Sequence, residues 1–575
     1  MKNRPQGKDQ DMGNSRGILP LDGAFFDGLH GLSGDKALEK VLKHPDCPRL
    51  IQTMSSEDFF WLISKVGADG SLELLKLASP DQWQYVLDVE SWQKDRMELN
   101  RTGGWIRRML AADPKRFAQW VFYEGQGFVY YYLYRSIVVE VKDEDEGIFE
   151  PGPEFFTIDG FFYIRAIQED QRETIETLLR AIAEEDTLKY QGLITGLAGV
   201  LPAELEESMY RMRNVRMAEH GFLPPEEAIS VYAPLDAERL KTKEQGAGAR
   251  PHSDPEDAVP APRWPLTTIQ GRDLLTKTIS NMSDEILLDR IRLEFAGLCN
   301  QILSAEGLST WDMDHLQEIQ LQAAGTLNMI LKERCQNERG NEDIRTAENL
   351  LRMNPLASLF RAGFGLAINL KWRAERWLKE CWFHEAFLEP SFWGQQWGGT
   401  LTGLLKKRPL LYCGDESIIG FRHFQSLSEL SSAAAILDLL EGLDSLMREL
   451  TKKYHLDASD TEPFDLTFYL LLFTLWAREL LDLEPGFKAI SLKQARGFLS
   501  LIRAGDAEPP YRMFGFEERF LKAFETPAQD PESNTSKNLK EALTQTWRDF
   551  SDELETVPMD ALDAKYSKYI KIAPS

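Results

Sequence analysis

The sequence predicts a mainly α protein: an irregular, superhelical helical-repeat domain with one small β-hairpin, linked to a C-terminal helical bundle. Three observations predict it. Cap-plus-amphipathic-helix units recur through the first 125 residues, one Asp-Gly hairpin interrupts the helical pattern, and long apolar-periodic runs fill the second half.

The repeat units are read from their starts. Ser55-Ser56-Glu57-Asp58, Ser79-Pro80-Asp81-Gln82 and Asp113-Pro114-Lys115-Arg116 each precede apolar residues at helical spacing. A Ser or Asp oxygen accepts from N–H groups that the first turn leaves without partners, and Pro at the first helical position loses nothing. Ser79 to Gln82 also fits a capping box. Phe59, Phe60, Leu62, Ile63 and Val66 make one apolar face, ended by Gly67, and Trp83, Val86 and Leu87 step around the next helix. The starts lie 24 and then 34 residues apart. That spacing suits a degenerate repeat rather than a strict array.

The pattern changes after Ser136. Ile137 to Val141 is β-branched, the acidic run Asp143-Glu144-Asp145-Glu146 follows, and Phe155 to Ile164 reads as a hairpin closed by the two residues Asp159-Gly160. A bare hairpin is marginal alone and must lean on a helix layer. The expected organisation is 1–19 disordered, 20–235 the helical-repeat domain with the hairpin near 155–164, and 236–265 a flexible linker rich in Pro, Ala, Gly and charge. Residues 266–526 form the bundle, and 527–575 a linker with a peripheral helical tail. Leu359, Phe360, Phe364, Ile368, Trp372 and Trp377 share one bundle helix, and Trp372, Trp377, Trp382, Trp393 and Trp397 are expected in its core.

Composition limits function. With 91 acidic and 66 basic residues the formal charge is −25, which repels phosphate backbones and argues against nucleic-acid binding. It suits basic protein partners or loosely held divalent cations. The longest apolar stretch, 466–476, is about half the ~20 residues that span a bilayer, so no membrane insertion is expected. Residues 1–17 lack the apolar core of a signal peptide. The five scattered cysteines include no Cys-x-x-Cys pair and form no disulfide framework, so the expected location is cytoplasmic.

Phosphate-loop, nucleophile-elbow, zincin and dinucleotide fingerprints are missing from the sequence. The connection 409–424 places Tyr412, Cys413, Asp415, Arg422 and His423 between core helices, where Cys413 and His423 are candidates for a nucleophile and its base. The alternative is a loop whose acids cap the next helix and pair with Arg422. Arg373, Trp377, Glu380 and His384, separated by 4, 3 and 4, would share a helix face, and Cys381 and His384 have metal-ligand spacing. A zinc site needs about four ligands and no second pair lies nearby, so an ion-pair face explains them as well and no metal site or cofactor is assigned.

Residues 50–123 and 201–234, through Ser79-Pro80-Asp81-Gln82 and Leu223-Pro224-Pro225-Glu226-Glu227, resemble the helical repeats of the cytosolic N-domain of MgtE-type magnesium transporters. That resemblance implies a right-handed superhelix, also similar to parts of flagellar motor switch proteins, and transfers no magnesium ligands. Over its full length the chain resembles an uncharacterised bacterial family known as a domain of unknown function. The stretches that carry this are Ser79 to Tyr85, the Phe156 to Phe162 hairpin, Glu226 to Leu235, and Asn354 to Gly365. The resemblance implies no activity or cofactor. The expected function is a scaffold or regulatory module that binds a protein partner along the repeat groove, with Trp83, Tyr85 and Trp92 as exposed anchors. The rivals are an enzyme with its site in the 409–424 loop and a divalent-cation-responsive module.

Overall fold

The capped starts read from the sequence are where helices begin in the structure, a computed structural model. It describes residues 25, 28–29, 31–93, 95–142, 152–197, 205–241, 261–267, 273–307, 313–335, 342–414, 420–454, 466–503, 508–513, 515–524, 533–563 and 567–573. The expected disordered terminus 1–19, most of the expected linker, the acidic run 143–146 and Asp415 lie outside the described residues. Helices dominate, as expected. The chain divides into two units, one drawn from Met1–Val231, Gln245–Gly271 and Met282–Gln320, the other from Tyr232–Glu244, Arg272–Asn281 and Leu321–Ser575.

In the first unit, Ser55 Oγ accepts from Asp58 N at 3.1 Å to start the helix Ser56–Val66. Ser79 and Gln82 close a reciprocal capping box on Pro80–Glu90, and Asp113 caps Pro114–Trp120. Gln82 does more than cap. Its Nε2 donates to the carbonyls of Ile51 (2.7 Å), in the helix Cys47–Gln52, and Met54 (3.1 Å), tying this helix start to the connection before Ser56–Val66. Trp83, fully buried, donates Nε1 to Leu75 O at 3.1 Å and lies under the Arg116 guanidinium at 4.1 Å. Arg116 Nη2 donates to the same carbonyl at 2.9 Å. Successive units are therefore joined through buried polar anchors as well as apolar faces, as buried backbone carbonyls demand.

The β element is larger than a hairpin. Ile137–Val141, Phe156–Thr157 and Phe162–Ala166 form a three-stranded antiparallel sheet with Phe162–Ala166 in the centre. A two-residue Asp159-Gly160 turn would set Thr157 opposite Phe162, whereas Thr157 pairs with Tyr163. The reason is local. Asp159 Oδ1 accepts from both Phe161 N and Phe162 N, and Thr157 Oγ1 from Gly160 N, so side chains take the donors that a tight turn would use. Gly160, at φ +77°, makes that wider turn without a Cβ clash. Two further ladders, Trp92–Gln93 with Arg96–Met97 and Leu411–Tyr412 with Phe421–Arg422, add to the single hairpin expected.

The second unit is a helical assembly around aromatic side chains. Phe473 stacks between Phe520 (4.8 Å) and Phe550 (3.9 Å), with Trp476 edge-on to Phe498, Phe520 and Trp547. The helices Leu427–Tyr454 and Asn534–Leu554 pack closely enough that a Cβ on Gly442 would meet Leu539 N at 2.7 Å. The C-terminal segment is thus part of the core rather than a peripheral tail: Trp547, Phe550 and Ile570 are buried, and Ile572 bridges to Ile490. The apolar run expected to be a buried helix falls in Phe468–Leu480, and no described helix is long and apolar enough to cross a membrane. Of the tryptophans expected in the core, Trp393 and Trp397 are buried, Trp377 and Trp382 are half-buried, and Trp372 is exposed.

Candidate functional site

The capped starts of the first unit do more than begin helices, because they border a cleft of about 590 Å³. Ser55 and Glu57 come from the start of Ser56–Val66, and Asp81, Gln82, Tyr85 and Asp88 from Pro80–Glu90. Arg216, Glu219 and His220 come from the end of Leu205–Glu219. Glu124 joins them from the π-helical turn Val121–Gly125.

Two ion pairs organise this lining. Arg216 donates Nε and Nη2 to the two Asp88 oxygens at 2.6 and 2.8 Å, a forked geometry that favours arginine. The Asp88 side chain is 2 % exposed, so this carboxylate would be costly without its cations. Burial works against the Arg216 charge, but Asp88 outweighs it and raises the pKa. Arg213, which donates Nε to Asp88 O at 2.6 Å, is lowered by burial.

His220 Nδ1 lies 2.6 Å from Glu57 Oε1, with its ring edge-on to Tyr85 at 4.7 Å and its carbonyl accepting from Asn300 Nδ2 at 2.7 Å. Burial disfavours the imidazolium. The hydrogen bond and charge of Glu57, aided by Glu219 and Asp88, outweigh that and hold the His220 pKa above its ordinary value. Burial, with Glu57 and Asp58 beside it, pushes the Tyr85 phenol well up.

What remains is negative charge. Asp81, Glu124 and Glu219 are exposed and make no ion pair among the described residues. Ser55 and Ser79 use their oxygens as caps, and His220 Nδ1 is held by Glu57. Among the described residues, the cleft therefore offers carboxylates that its ion pairs leave over.

The structure distributes the sequence candidates differently. Leu411 pairs with Arg422, Tyr412 with Phe421, and Cys413 N donates to Gly420 O. Side chains alternate along a ladder, so Cys413 shares a face with Arg422 while His423 begins on the other, with Tyr412 and Phe421. The Cys413 thiol lies beside Arg422. Arg422 grips Glu429 of the next helix at 2.7 and 3.3 Å. Burial would raise the Glu429 pKa, but Arg422 and the N–H groups of Gln425 and Ser426 lower it.

The four-residue helix face breaks as well. Leu356–Glu380 ends one residue before Cys381, which is extended, and His384 belongs to the separate helix Trp382–Glu385. Asp444 accepts from Trp382 N and Phe383 N, both at 3.0 Å, taking donors that a continuous helix would spend on its own carbonyls. Arg373 is held by Asp438 and Glu441, Glu380 gives its carbonyl to Arg448, and Trp377 stacks on Phe383. Cys381 is buried, which raises its thiol to about 11. Among the described residues no cluster of three or more His, Cys, Asp or Glu is placed to hold a metal. Trp83, Tyr85 and Trp92 are 0, 5 and 3 % exposed, so they are core residues and not surface anchors.

A family model matches the chain over residues 24–573. The chain belongs to the Family of unknown function (DUF6178). This agrees with the full-length resemblance read from the sequence. No curated protein and no solved structure matches, so the likeness to transporter N-domains gains no support.

In this DUF6178 chain the sequence reading passed over Asp88, Arg216 and His220. One signal was available. Gln82, Tyr85 and Asp88 recur every three residues on the apolar side of Pro80–Glu90, and polar groups on a buried face mark either a network or a site. Their partners lie 128 and 163 residues away for the two ion pairs, beyond any local pattern.

Proposed function

We propose that this DUF6178 chain is a scaffold that binds a protein partner in the cleft of its first unit, acting in the cytoplasm. One observation carries the reading: the cleft keeps three carboxylates, Asp81, Glu124 and Glu219, after its ion pairs are counted. Carboxylates gathered on one cleft attract cationic side chains and repel nucleic acid. All five cysteines are free thiols, which suits a reducing compartment.

The test compares proteins captured from native cytosol by the full chain and by a variant carrying Asp81→Lys, Glu124→Lys and Glu219→Lys. The reading expects a discrete partner retained by the natural sequence and lost from the variant. Identical captures by both would refute it.

A further inference from the structure

On the helix Leu356–Glu380, Phe360, Phe364, Ile368 and Trp372 follow one another every four residues, and their exposures are 0, 6, 8 and 48 %. Four residues overshoot a helical turn by about 40°, so the row has swung about 120° from the core line by Trp372. The rotation brings an indole into solvent.

Trp372 borders an open groove of about 520 Å³ together with Asn369, Glu375, Arg376 and Lys379. Glu375 lies 3.5 Å from Lys371, which holds the Lys406 carbonyl as well. Asp438 and Glu441 are taken by Arg373. Arg376 and Lys379 are exposed and make no ion pair among the described residues; Arg376 reaches only the Trp372 carbonyl, at 3.4 Å. An indole and two cations thus stand at positions i, i+4 and i+7 of a rigid helix. The strip spans about 10 Å, the length of three extended residues. Tryptophan and arginine are the side chains over-represented where interfaces concentrate their binding energy. The chain as a whole has a formal charge of −25, so these two cations give the groove a local charge opposite to the chain's.

We propose that this face docks a short acidic segment of a partner protein, with one apolar or aromatic side chain on the Trp372 indole and carboxylates within three residues of it on Arg376 and Lys379. The surface belongs to the second unit and has the opposite charge preference to the acidic cleft of the first. It would let one chain hold two partners of different chemistry.

The test is selection of a displayed random linear-peptide library on the full chain. The best peptide is then measured by fluorescence anisotropy against the natural sequence, Trp372→Ala, and Arg376→Glu with Lys379→Glu. All three positions are solvent-facing, so thermal unfolding should be unchanged. The expected peptides are acidic with a single apolar residue. They should bind each variant at least tenfold more weakly, lose affinity with added salt, and bind the cleft variant normally. Selection of basic or uncharged peptides, equal binding to the variants, or no selectable peptide would overturn the proposal. So would a dimer that Trp372→Ala dissolves, which would make a second copy the occupant, or phosphatidylserine vesicles that bind through the same three residues.

Discussion

The pair His220–Glu57 permits a prediction whose sign follows from its geometry. Its two side chains are 23 % and 13 % exposed, and it joins the end of Leu205–Glu219 to the start of Ser56–Val66 across 163 residues of sequence. Replacing His220 with Gln keeps a polar group of similar reach but removes the charge. A hydrogen bond to a charged group contributes about 1.5–3 kcal/mol. Partial exposure and the cost of burying the imidazolium bring the expectation to about 1–2 kcal/mol at pH 6. The His220 pKa is raised in the folded chain, so the proton is held more tightly there than in the unfolded one. The charge-dependent stabilisation is therefore complete below the unfolded value of about 6.5 and is lost as pH rises through the folded value. Differential scanning calorimetry of the full chain and His220→Gln at pH 6, 7, 8 and 9 reads this directly. At about 2–4 °C per kcal/mol, the gap in Tm should be about 2–8 °C at pH 6 and should narrow toward pH 9. A gap that stays constant or widens with pH would show that Glu57 does not hold a protonated His220.

Three further outcomes follow from the same structure. Trp83→Ala removes a fully buried indole, its bond to Leu75 O and the platform under Arg116, so it should cost about 3–5 kcal/mol in denaturant unfolding; a cost under about 1 kcal/mol would contradict the packing. Cys413 is exposed whereas Cys47, Cys299, Cys335 and Cys381 are buried, so maleimide should label one thiol rapidly in the native chain, and mass spectrometry should place it at Cys413. Rapid labelling of a second cysteine would contradict that burial. Mg²⁺ should raise Tm no more than NaCl of equal ionic strength, because no multi-ligand cluster is found among the described residues; a selective rise would mean native-state binding.

Short-range chemistry was the legible part of this chain. Ser55, Ser79 and Asp113 announce helix starts because a cap oxygen and the N–H that donates to it lie within three residues. The same periodicity that located Trp83 and Tyr85 on a helix could not say that neighbours cover every side of them, nor that Trp92 beyond its end is covered as well. What escaped was set at long range. Asp444 ends the helix at Cys381 from 61 and 62 residues away, which no local pattern around Arg373, Trp377, Glu380 and His384 reveals. The Asp159 side chain moved the hairpin register by one residue. Trp372 was misplaced for a geometric reason, since a row spaced by four drifts around a 3.6-residue helix. The cleft was least legible, because its ion pairs join the beginning and the end of the first long stretch of the unit.

The central claim is that a partner occupies the cleft of the first unit. A photo-crosslinking amino acid placed at Gln84, on the cleft wall, tests it most directly, with the same group at exposed Leu501 of the second unit as control. In native cytosol the account predicts one discrete adduct from position 84, none of that mass from position 501, and its loss when Asp81, Glu124 and Glu219 are changed to Lys. No adduct at position 84, or one that survives the charge reversal, would contradict it.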